Sequence, residues 1–161
     1  MLNHRFEIMQ HRHQTSPRFY TATKLPAKED GDFLQIEKAF VTLQNGNGEW
    51  ILFEVDFKGH CIRLFTGGDQ QGELTAVEID TITGWFHNVV ETLELAFSID
   101  GWKFERAVTP IISNTVRDSG IFVILCADLH SCDLPLQFGD EVIGFFRKQI
   151  CKYLLLGRLN Y

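Results

Sequence analysis

The sequence predicts one α+β domain, a sheet flanked by helices. Three observations carry this. Residues 39–65 hold strand-type apolar runs broken by turn residues, residues 82–97 repeat apolar side chains at helical spacing, and two further helical stretches fill the end of the chain. A length of 161 residues fits a single domain over 1–161, and a 45% apolar share with fourteen Phe gives it a core.

Taken in order, Leu2, Phe6 and Met9 predict a short N-terminal helix before Pro17. The polar stretch 24–32, with Pro26 and Gly31, is a loop. Strands follow at 39–44 and 50–57, separated by Asn45-Gly46-Asn47-Gly48. Lys58-Gly59 then turns the chain back into 61–65, which is a hairpin signature. Ile51, Phe53, Val55 and Phe57 share one face by alternation. Leu52 makes the other face apolar, so this strand is covered on both sides. Ile82, Phe86, Val89, Leu93 and Phe97 form one helical stripe. An extended piece at 102–108 stops at Pro110. A helix then starts near Asp118, its cap, and buries Phe122, Leu125, Cys126 and Leu129. The last helix, about 139–156, turns Val142, Phe145, Phe146, Ile150, Tyr153 and Leu154 inward.

Composition narrows the function. A net charge of −6 argues against nucleic acid or an anionic membrane as the main partner, and no eighteen-residue apolar span occurs. Four cysteines without a C-x-x-C pair or a dense framework read as reduced thiols, an intracellular expectation of cytoplasm or nucleus. His11 and His13 fall on different faces of a helix and no Cys or carboxylate set completes a zinc site, so no metal is expected. The loop 45–48 lacks the helix and the Lys of a phosphate-binding loop, and no cofactor is expected.

Asp118-Ser119-Gly120, opening the apolar run 121–128, resembles the Asp-Cys-Gly nucleophile motif of the Ulp/SENP cysteine proteases, which process ubiquitin-like proteins such as SUMO and NEDD8. Serine stands where that family has cysteine. Other segments follow in the family's order. The run from Glu49 to Asp56 is similar to its His-Trp strand, and Ile62 to Gly67 to the strand after it. Trp102, Pro110 and Asn114 lead into the nucleophile helix, and Pro135-Leu136-Gln137-Phe138 with 146–159 resembles the C-terminal helices. The likeness runs from residue 38 to the end, leaving 1–37 as a trimmed or divergent N-terminal part. It implies a papain-like cysteine protease fold with a central mixed sheet flanked by helices. The trimmed start implies a sheet edge open to another chain.

In that family a His and an Asp activate the Cys, and a Gln helps to form the oxyanion hole. Carried over residue by residue, His falls on Glu49, Asp on Thr66, Gln on Ser113 and Cys on Ser119. Glu49 is negative and a poor base at neutral pH, Thr66 cannot hold an imidazole by a charged hydrogen bond, and Ser113 is too short for the amide's reach. Ser119 needs a base that Glu49 is badly suited to be. These four positions read as vestigial, with no catalytic set intact. The expectation is therefore a pseudoprotease, not an enzyme, serving as a protein-interaction scaffold or a subunit of a larger complex, with a homo-oligomer as one form. One alternative is a binder of a ubiquitin-like modifier that does not cleave it. Another is an active ubiquitin-like-protein protease whose nucleophile was changed to Ser119. Trp50 matches the Trp that lines the channel for the modifier's Gly-Gly tail, although its residue type fits a core or rim aromatic equally well. No Trp precedes it to form a second wall.

Overall fold

Strand β3 (Trp50–Asp56) is the axis of the molecule, and its alternation creates two cores. The computed structural model describes residues 18–21, 36–68 and 72–155. Among these residues five strands form one sheet in the order β1 (Arg18–Thr21), β2 (Lys38–Gln44), β3, β4 (Cys61–Phe65) and β5 (Lys103–Arg106). The pairs β2–β3 and β3–β4 are antiparallel, whereas β1 on β2 and β5 on β4 are parallel, so the sheet is mixed as expected. On one face, Ile51, Phe53 and Val55 pack with Ile82, Phe86 and Val89 of helix α1 (Ala76–Leu93). On the other, Phe40, Leu52 and Phe65 meet Phe122, Cys126 and Ala127 of α2 (Thr115–Ser131), backed by Ile143 of α3 (Asp140–Leu155). A strand sandwiched in this way has no solvent side, which is why five consecutive residues of β3 are buried.

Turn chemistry sets the register. Asn45 Oδ1 accepts the N–H groups of Asn47 and Glu49 at 3.0 and 2.9 Å, and Gly48 takes a φ of 80° that suits glycine. At the next turn the Gly59 N–H donates to Asp56 Oδ1 at 2.7 Å. A Cβ on Gly59 would sit 2.7 Å from the same carboxylate, which would have to swing aside and give up this bond.

Helix α1 begins with a reciprocal cap. Thr75 Oγ1 accepts the Glu78 N–H, and the Glu78 carboxylate accepts the Thr75 N–H at 2.8 Å. Thr75→Ala is expected to lower stability by about 1 kcal/mol, read as a shifted urea midpoint at unchanged slope.

The structure departs from the sequence expectations at four places. Glu94, with a φ of 54°, ends α1, and Phe97 packs from the following coil against Phe57 and Trp102 at 6.0 and 5.7 Å. The stripe continues in space although the helix does not. Helix α2 starts at Thr115 rather than near Asp118, because Asn114 Oδ1 caps it by accepting the Arg117 N–H at 3.0 Å. Asp118 instead pairs with Arg117 and, from α3, Arg147. In α3 the inward residues are Ile143 and Phe146, while Val142 and Phe145 are 36% and 56% exposed. Where α3 meets α2 it needs only a narrow stripe, and Val142 and Phe145 fall outside it. Finally, β1 runs along β2, so the edge expected to be open is occupied, and among the described residues β5 ends the sheet on the other side. The predicted N-terminal helix, His11 and His13, the 24–32 loop, and the side chains of Tyr153 and Leu154 lie outside the described residues. No helix among the described residues is long and apolar enough to cross a membrane.

Candidate functional site

Where β3 begins and β4 ends, the sheet abuts the first turns of α2. Ser119 lies buried in the second of these turns. Its Oγ accepts the backbone N–H of Trp50 at 3.0 Å and donates to the Val116 carbonyl at 3.3 Å. The indole of Trp50 packs on the α2-side core, half-buried at its margin. A contact between residues so far apart in sequence pins α2 to the start of β3.

The other expected positions gather at the same end. Glu49 precedes Trp50, but its carboxylate accepts from Asn45 Nδ2 at 2.9 Å and is turned to the β2–β3 hairpin. Thr66 is buried just beyond β4, with its carbonyl accepting the Thr109 hydroxyl at 2.6 Å. The next residue, Gly67, accepts the Ile112 N–H at 2.9 Å, and a Cβ there would come within 2.7 Å of the Ile112 side chain. These two bonds clamp the segment before α2 onto the end of β4. Ser113 is exposed and directs both its N–H and its hydroxyl to Asp140, the first residue of α3. Those hydrogen bonds hold the Asp140 carboxyl below its ordinary value. The four positions therefore share one locality, while the side chains of Glu49 and Ser113 bond away from Ser119.

No imidazole stands beside Ser119 among the described residues. His60 is in the β3–β4 turn, stacked near Trp102 at 5.2 Å, and His87 pairs with Glu91 on α1. His130, at the far end of α2, holds Glu54 at 2.7 Å through Nε2. Sequence reading missed the polar centre around Glu54. Its carboxylate is fully buried on the α2 face and bound by Lys38 at 3.0 Å, Arg63 at 3.4 Å and His130. Burial pushes its pKa up, but His130 and then Lys38 outweigh that and hold it down at about 2. An acid inside a strand apolar on both faces was the available signal, since such a charge demands partners. Beside this centre lies a cleft of about 490 Å³, lined by Arg63, Phe65, Glu105, His130, Leu134 and Leu136 among others. No cluster of three or more metal-ligating side chains occurs among the described residues.

No protein-family model matches the chain, and no curated protein matches it. Solved structures do. The C-terminal Ulp1 protease domain in complex with Smt3, the yeast ortholog of SUMO, matches with a TM-score of 0.64 at 17% identity, over 89% of this chain and 70% of that one. The SUMO protease Ulp1 with its catalytic cysteine oxidised to a sulfinic acid gives 0.61 at 18% identity, over 81% of this chain and 57% of that one. A Chaetomium thermophilum Ulp1-like SUMO protease catalytic domain gives 0.52 at 16% identity, and this chain spans only 49% of its length. The fold is thus the Ulp1-like protease fold, α+β with a mixed sheet.

These likenesses correct one expectation. The reading of the chain as no enzyme rested on residue identities at Glu49, Thr66, Ser113 and Ser119. The fold found is that of SUMO cysteine proteases, an enzyme fold, and those identities alone do not demonstrate a loss of catalysis.

Proposed function

We propose that this chain recognises a ubiquitin-like modifier of the SUMO kind, with the modifier's extended C-terminal tail passing over Trp50 toward Ser119. The hydrogen bond from the Trp50 N–H to Ser119 Oγ carries the reading, because it holds the backbone of Trp50, whose half-buried indole packs on the α2-side core, at the second turn of α2. Support comes from the fold shared with a protease domain solved in complex with Smt3. A flat indole at the margin of a core offers apolar area at little entropic cost, and a Gly-Gly tail is thin enough to lie against it.

Titration of isotope-labelled chain with a SUMO-type modifier tests this. Shifts should centre on Trp50, Ser119 and Thr66, and Trp50→Ala should weaken binding by about tenfold or more. A modifier lacking its last residues should lose the same contacts. No shift at high modifier concentration, or shifts indifferent to Trp50, would sink the proposal.

A second reading, membership in a larger protein assembly, is favoured by Val142 and Phe145, which are exposed three residues apart on α3. Affinity capture followed by masking of that face with Phe145→Glu distinguishes it from tail recognition, which that change leaves intact.

A further inference from the structure

The terminal strand β5 carries a self-complementary edge, and we infer that two copies of this chain pair through it, antiparallel, into one continuous sheet. The inference is independent of the modifier reading. Lys103 donates its N–H to His60 O at 3.0 Å and Ala107 to Leu64 O at 2.9 Å, so alternate N–H groups of β5 face β4. That of Phe104 consequently points outward, and among the described residues no strand pairs with it.

Side chains decide which pairing such an edge permits. Trp102 and Phe104 pack on the α1-side core, while Glu105 reaches Arg63 at 3.3 Å on the α2 side. By alternation Lys103 shares the α2 side with Glu105, and both are exposed. A two-fold axis perpendicular to the sheet places residues of the same face opposite each other. Centred on Lys103 it opposes two lysines, and centred on Glu105 it opposes two glutamates. Centred on Phe104 it sets Lys103 against Glu105 of the second copy twice, at the closely spaced non-hydrogen-bonded positions. The same register lets the two Phe104 residues exchange N–H···O bonds and brings their rings together. A charged, four-residue edge resists promiscuous pairing, and here its charges favour a single register.

Sedimentation of the full chain over a concentration series reads the result. The wild type should show a reversible monomer–dimer equilibrium. Lys103→Glu, whose thermal melting confirms folding, should weaken it by about tenfold or more by turning two attractions into repulsions. Mixing Lys103→Glu with Glu105→Lys chains should restore a dimer, because every opposed pair is then again of opposite sign. A wild type that stays monomeric at millimolar concentration overturns the inference. So does a dimer that Lys103→Glu leaves unchanged, or a mixture that recovers nothing.

Discussion

Phe122→Ala is expected to cost about 3–5 kcal/mol, the largest loss from any single truncation proposed for this molecule. Phe122 is fully buried where α2 meets the sheet, with Phe138 at 5.8 Å between ring centroids and Phe40, Leu52 and Phe65 in the same core. Removing the ring deletes its burial and leaves a cavity that β3 and α2, each fixed elsewhere, cannot collapse into. The consequence reaches the site. Ser119 stands three residues earlier on α2, so loosening the helix should free the Trp50 amide from Ser119 Oγ. Hydrogen exchange at Trp50 should rise by more than the global loss of stability explains. Phe145→Ala provides the contrast: that ring is 56% exposed, and the change should stay within about 0.5 kcal/mol.

Glu54→Gln is the second large effect, expected at about 3 kcal/mol at neutral pH. The side chain keeps its shape, yet Lys38, Arg63 and His130 lose the carboxylate they converge on. The pH dependence has a definite sign. The folded-state value of about 2 lies below the ordinary 4.5, so ionised Glu54 stabilises the fold above 4.5. That contribution, again about 3 kcal/mol from the gap between the two values, fades as pH falls from 4.5 toward 2. Urea denaturation should find wild type and Glu54→Gln far apart at pH 7 and converging near pH 2. Equal stability of the two at pH 7 would contradict the account of the buried centre.

Much of this fold is legible in the sequence. Alternation in β3, the glycine turns at 48 and 59 and the stripe Ile82, Phe86, Val89 and Leu93 are local signals, and each element formed where its signal lay. The errors came where partners decide. Whether Ile143 or Val142 faces inward depends on how α3 meets α2, which no periodicity in a helix rich in apolar residues on several sides can specify. The start of α2 was misread because its apolar run begins later than its cap, Asn114. The strand β1 escaped notice because four residues in parallel pairing carry almost no pattern of their own.

The candidate site was legible in part for the same reason. Motif order brought Trp50, Thr66 and Ser119 to one end of the sheet, and the structure places them there. It could not show that Glu49 turns to Asn45 or that Ser113 serves α3 through Asp140, since those bonds join residues whose nearness is a product of folding or of loop geometry. The Glu54 centre depends on four elements at once, β2, β3, β4 and α2. Only the unexplained acid within β3 hinted at it.

Photo-crosslinking tests the central claim most directly. A SUMO-type modifier carrying a diazirine side chain next to its terminal glycines is mixed with the full chain, irradiated and mapped by mass spectrometry. Modifier recognition at the Ser119 end predicts adducts on Trp50 and on residues flanking Thr66 and Ser119, abolished by excess unlabelled modifier. Adducts confined to α1 or β5, or none that unlabelled modifier competes away, would contradict it.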